Sequence, residues 1–145
     1  MPNRLLAVLV MVLGLAGAGP VGAMMSDGGD VNLPDIEKLI AERKFDTAVQ
    51  KLQDYTEKSP WDPDGFNLMG YSQRNLGRFA EAKAAYDRAL RLDPAHAGAL
   101  EYLGELYLQT GEPEKAREQL LKLEEVCGTG CQEYQTLAKA IDAQK

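Results

Sequence analysis

Apolar side chains recur along this chain at the spacing of one helix face, and the pattern breaks repeatedly at glycine or proline. Between Asp64 and Pro94, Phe66, Met69 and Gly70 form one stripe, and Ala82, Tyr86, Ala89 and Leu90 form another. Between Gly98 and Gly128 the stripes are Leu100, Leu103, Gly104 and Tyr107, then Ala116, Leu120 and Leu123. Such three- and four-residue steps predict amphipathic helices, two in each segment. Gly77 and Gly111 fall between the paired stripes, where a helix C-terminus wants a residue that tolerates a left-handed backbone. Pro94 closes the second helix of the first segment, because proline has no amide donor and disfavours helical geometry in the residue before it. Small Gly70 and Gly104 are expected to meet small Ala82 and Ala116, letting paired backbones approach closely.

The two segments are copies in a register of 34 residues, in which Pro60 returns as Pro94, Gly70 as Gly104, Gly77 as Gly111, and Ala48 as Ala82 and Ala116. A fixed period of this size predicts a stacked repeat. The register extends upstream, from Phe79, Ala82, Tyr86 and Pro94 back to Phe45, Ala48, Leu52 and Pro60. The opening copy is degenerate, with Pro34 inside its first helix and Ile36 at the small-residue position. Beyond Cys131, Tyr134, Leu137, Ala138 and Ile141 recur at helical spacing with Gln135, Lys139 and Asp142 between them, a capping helix with a wet outer face.

The run Phe66-Asn67-Leu68-Met69-Gly70, then Gly77-Arg78-Phe79-Ala80-Glu81-Ala82, Tyr86-Asp87-Arg88-Ala89-Leu90 and Asp93-Pro94 resembles the tetratricopeptide (TPR) repeat. The next copy departs from it with Pro113 where Phe79 stood and Gly128 where Pro94 stood; proline is tolerated in a first helical turn. The resemblance implies an all-α fold, a short TPR-like solenoid of antiparallel helix pairs with a C-terminal capping helix. The expected boundaries are a degenerate repeat over 33–62, repeats over 63–96 and 97–130, and a capping helix over 131–143 within a helical domain of 33–145.

Residues 1–23 pose a separate problem. Arg4, the apolar run Leu5 to Leu15 and the small residues Val21-Gly22-Ala23 form the tripartite pattern of a cleaved secretory signal peptide. Ala16-Gly17-Ala18 offers a second cleavage position, and the run falls short of the ~20 residues of a membrane span. Residues 24–32, with Ser26-Asp27-Gly28-Gly29-Asp30, are expected to be a flexible leader. An exported protein, periplasmic or secreted, is the consequence. Without residues 1–23 the chain carries 15 basic and 22 acidic groups, net −7, which argues against nucleic-acid and anionic-membrane partners.

Cys127 and Cys131 are the only cysteines, and they bracket Gly128-Thr129-Gly130. In an exported chain two close cysteines are most simply a disulfide, here worth ~2 kcal/mol and placed to pin the cap. Thiol-disulfide exchange and metal binding are the alternatives, without Cys-x-x-Cys or a nearby histidine to favour them. The stretch Val126 to Tyr134 resembles the cysteine-pair ending of small exported bacterial TPR proteins, a resemblance that implies no activity.

No catalytic constellation emerges: the sole histidine, His96, is expected to be a solvated turn residue, and no phosphate-cradling loop follows the signal segment. No enzyme activity, cofactor or metal is expected. In the TPR family the first helix of each repeat lines a concave surface. Packing uses Phe66, Met69, Gly70, Leu100, Leu103 and Tyr107. The remaining face offers Asn67, Tyr71, Arg74 and Asn75, then Glu101, Glu105, Leu108 and Gln109, as groove candidates, with Tyr71 and Leu108 supplying apolar area. The family's carboxylate-gripping groove needs several cations, whereas Arg74 is the one basic residue in this set, so a neutral or basic segment is expected as partner. Trp61, between repeats, is expected to be packed. The function expected is a protein–protein interaction adaptor, a scaffold or assembly factor; the alternatives are a self-associating structural subunit, possible as a homodimer, and a thiol-active factor.

Overall fold

The computed structural model describes residues 31–144, within which the chain forms seven helices and no strand. They are α1 (Leu33–Ala41), α2 (Phe45–Lys58), α3 (Pro63–Asn75), α4 (Phe79–Leu92), α5 (Ala97–Gln109), α6 (Pro113–Cys127) and α7 (Gln132–Asp142). The signal-peptide expectation for residues 1–23 lies outside the described residues, as does the leader except for Val31 and Asn32. Those two are engaged: Asn32 caps α1 by accepting from the Asp35 amide at 3.0 Å, and Val31 packs beside Ile36, Ala48 and Leu52. Pro34 is accommodated because it stands in the first turn of α1, where its missing N–H costs nothing.

The turns inside the three helix pairs repeat one hydrogen-bond pattern. Lys44 N donates to Leu39 O, Arg78 N to Gln73 O and Glu112 N to Tyr107 O, each closing six residues around a left-handed residue. Gly77 and Gly111 are two of these, with φ of 74° and 77°; the third is Arg43, with φ of 59°. The first pair therefore makes the same turn without glycine, at a backbone cost of about 1–2 kcal/mol.

Helices pair as α1 with α2, α3 with α4 and α5 with α6, and α7 packs on both α5 and α6. The first helices α1, α3, α5 and α7 touch in succession, whereas α2, α4 and α6 do not touch one another. A stack joined along one layer and splayed along the other is curved, with the first helices inside.

The main core lies between α4 and α7, where Tyr86, Leu100, Leu106, Leu123 and Leu137 are fully buried. The partners of the packing glycines differ from the sequence expectation. A Cβ on Gly70 would lie 2.5 Å from the Tyr86 ring, and one on Gly104 would lie 2.5 Å from Leu137 of α7; the buried alanines Ala82 and Ala116 are not the nearest groups. Each glycine admits a large side chain rather than a small one. Trp61 also departs from expectation. It is 77% exposed, and Arg88 holds it from outside, its guanidinium 5.6 Å from the Trp61 ring and 5.5 Å from that of Phe66 while Nη2 donates to Pro60 O at 3.1 Å.

Candidate partner-binding groove

On α3 the residues Asn67, Tyr71 and Arg74 occupy one stripe, spaced by four and three along the helix, and the stripe faces α5. Asn67 is 8% exposed, and its amide lies against Gly98 at the start of α5, with no donor for Oδ1 among the described residues. Tyr71 is half-buried, its ring 6.3 Å from that of Phe45 and 5.0 Å from that of Tyr102. Arg74 has a side chain 9% exposed, pairs through Nη2 with Glu105 Oε2 at 2.6 Å, and lies 5.6 Å and 5.8 Å from the Tyr71 and Tyr102 ring centres. The buried guanidinium is thus held by one carboxylate and two π faces, while its Nε, also buried, has no acceptor among the described residues.

Beyond this centre the candidates separate. Asn75 is exposed and donates to Tyr71 O of its own helix at 2.8 Å, so its amide is turned toward α3 itself. Leu108 is buried, 7% exposed, and belongs to the core; its visible edge forms the floor of a shallow cleft with Arg74, Glu105, Gln109, Ala140 and Gln144. It cannot supply the open apolar area expected of it. Glu101 is half-buried, and its carboxyl is pushed up to about 7, first by burial and then by the negative charges of Glu105 and Glu133, against a smaller opposing pull from Arg74.

Two sets of contributors lie outside the sequence expectation. Tyr102 is the half-buried ring between Tyr71 and Tyr86, and burial raises its hydroxyl above the usual range. Its position is three before Glu105 and seven before Gln109, a helical stripe that would have revealed it. Glu133 and Ala140 come from α7 and Gln144 from just beyond its end, a part of the chain that the repeat register presents only as a cap.

His96 is not a solvated turn residue. Its Nδ1 accepts from the Ala99 amide at 3.1 Å, capping α5, and Nε2 meets Asp64 Oδ1 of α3 at 2.8 Å. With Nδ1 accepting, the proton belongs on Nε2, which donates to Asp64. One imidazole therefore ties two helix starts together. At the far end, Cys127 closes α6 and Cys131 begins α7; the two are joined, with Cα atoms 5.8 Å apart.

The tetratricopeptide repeat family model matches residues 67–128. No curated protein matches the chain. Among solved structures, the chain is similar to MamA (TM-score 0.69, 21% identity, 81% of this chain and 70% of that one). It is also similar to the first TPR of Spaghetti (RPAP3) bound to the HSP90 peptide SRMEEVD (0.68, 17%, 77% and 87%). A third is the Yersinia enterocolitica type III secretion chaperone SycD in complex with a peptide of the translocator YopD (0.66, 18%, 76% and 83%). The chain thus has the fold of a short TPR solenoid, with tetratricopeptide sequence recognisable over residues 67–128 and the same helical stacking continued on both sides.

Proposed function

We propose that this protein is an exported interaction adaptor that holds a segment of a partner protein along the inner layer of its helices. The observation that carries the reading is the unbroken contact of α1, α3, α5 and α7, which places Tyr71, Tyr102, Arg74 and Glu105 side by side on a single inner surface. Half-buried rings beside the Arg74–Glu105 ion pair offer contact area that is already partly desolvated and held in place, the property of a peptide groove. Two proteins of the same fold carry peptides in their structures, those of HSP90 and YopD, which supports the mode of binding. The occupant here differs in charge. An acidic peptide such as SRMEEVD would meet an Arg74 already committed to Glu105 and an unpaired Glu101, so a neutral or basic segment fits better. Export rests on the tripartite pattern of residues 1–23 and accords with a joined Cys127–Cys131 pair, which persists in an oxidising compartment.

The test is in-cell photo-crosslinking from a photoreactive aromatic amino acid in place of Tyr71, with the same residue in place of exposed Arg91 on α4 as control. A discrete adduct from position 71 and none from 91 is expected. Equal adducts from both, or none from 71, would refute the groove.

A further inference from the structure

The two joined sulfurs of Cys127 and Cys131 stand at opposite kinds of helix end. Cys127 is the last residue of α6, where carbonyls are left over, and its Sγ lies 3.3 Å from Leu123 O. Cys131 is the residue from which α7 starts, where amides are left over, and no side chain caps that end. Exposure divides the pair in the same sense, since Cys127 is exposed and Cys131 half-buried. Between them, a Cβ built on Gly128 or Gly130 would meet no atom within 4 Å, so the connecting loop is uncovered on those sides. A carboxylate oxygen of Glu133 and the two sulfurs all lie within 4.8 Å of one another. The seat of α7 does not depend on the bond, because Leu137 lies against Gly104 and Ile141 is buried in the same core.

A thiolate that attacks a disulfide has a choice of sulfur, and the outcome follows access to the sulfur attacked and the stability of the sulfur that leaves. Here both factors favour one direction. Cys127 Sγ is the open one, and Cys131 Sγ would leave onto the amide end of α7, where negative charge is stabilised. Attack on Cys131 would instead expel a thiolate at Cys127, against the Leu123 carbonyl and the negative end of α6. We propose that the Cys127–Cys131 bond is a thiol–disulfide exchange site, at which the thiolate of a cysteine in another molecule attacks Cys127 Sγ and Cys131 leaves as a thiolate. The new sulfur–sulfur bond joins the incoming sulfur to Cys127, and the electron pair of the broken bond goes to Cys131. A second thiolate of the same donor then attacks the donor's own sulfur in this mixed disulfide. The donor departs as a disulfide, oxidised by two electrons, and the released Cys127 takes a proton from water that it can donate to Leu123 O. Glu133 restrains the reaction, because its charge opposes both the arriving and the departing thiolate. Exposed disulfides are the labile ones, and this one can open without unseating α7. The inference goes beyond the groove reading and does not depend on it.

The experiment mixes the purified, oxidised protein at pH 8 with either of two thiol donors, reduced glutathione or a synthetic peptide carrying two cysteines. The reaction is quenched with acid at early times and the adducts are located by tandem mass spectrometry. In the folded protein adducts on Cys127 should outnumber those on Cys131 roughly tenfold, whereas in urea, where both helix ends are lost, they should divide about evenly. With the two-cysteine peptide the mixed disulfide should give way to oxidised peptide and a fully reduced protein whose far-ultraviolet circular dichroism remains helical. Glu133→Gln should speed adduct formation about threefold without moving its position, the Coulomb effect of one charge within 4.8 Å at the dielectric of water. Faster reaction with the peptide than with glutathione assigns the site to protein cysteines, and the reverse assigns it to small thiols. Adducts divided equally in the folded protein, adducts mainly on Cys131, or a bond that both donors leave intact would overturn the exchange site, whatever the crosslinking from position 71 shows of the groove.

Discussion

Gly70→Ala tests the packing account most directly. The new Cβ would lie 2.5, 2.6 and 2.9 Å from three atoms of the Tyr86 ring, whose residue is fully buried between α3, α4 and α5 and has nowhere to swing. Overpacking of this kind costs about 1–3 kcal/mol, and three overlaps with a fixed ring belong at the upper end. Against it stands the better helix propensity of alanine, about 1 kcal/mol. The net expectation is a loss of about 2 kcal/mol, a fall of roughly 8 °C in Tm for a domain of this size. Urea unfolding followed by far-ultraviolet circular dichroism measures it. Two other glycines serve as internal comparisons. Gly77→Ala meets no atom within 4 Å but must keep φ near 74°, so it should lose about 1–2 kcal/mol through backbone strain alone. Gly130→Ala, with open space and no positive φ, should be near neutral. Shrinking the ring in a Gly70→Ala, Tyr86→Leu double variant should recover at least ~1 kcal/mol relative to the sum of the single changes. A Gly70→Ala protein as stable as the wild type, or the absence of that coupling, would refute the claim that this glycine exists to admit Tyr86.

Arg43→Gly should stabilise the protein by up to about 1 kcal/mol, because relief of a left-handed arginine exceeds the added chain entropy of glycine; an unchanged or lower urea midpoint would contradict the turn assignment. Glu101 supplies a pH signature. Its carboxyl sits at about 7 in the folded protein against an ordinary 4.5, so the folded state holds the extra proton between those values, and stability should fall as pH rises from about 4.5 to about 7. After allowance for its exposure the effect is on the order of 1 kcal/mol, and Glu101→Gln should flatten the corresponding part of the urea-midpoint curve; an identical slope in the variant would count against the buried acidic cluster.

The candidate groove was legible in part. Asn67, Tyr71 and Arg74 share one face because four- and three-residue steps on a single helix do not depend on any neighbour. Glu101, Glu105, Leu108 and Gln109 are the counterparts of Asn67, Tyr71, Arg74 and Asn75 in the next copy of the 34-residue register. The structure instead places Tyr102 against Tyr71 and buries Leu108, because the way α5 leans on α3 decides which of its stripes faces inward. Glu133 stayed hidden for a related reason: a capping helix advertises its buried stripe, Leu137 and Ile141, and not the groove it borders.

Local chemistry made several features readable along the chain: where helices begin and end, the paired turns at Gly77 and Gly111, the stacking implied by a repeated spacing, and the acidic balance. Each depends on residues within a turn or two, or on composition. Features that depend on packing between helices were not readable. The choice of Tyr86 and Leu137 as partners of Gly70 and Gly104, the use of His96 to join α3 to α5, the exposure of Trp61 beneath Arg88, and the meeting of Glu101 with Glu133 all turn on angles and distances between separate helices. Those angles come from the simultaneous fit of many side chains, and a spacing along one helix carries no record of them.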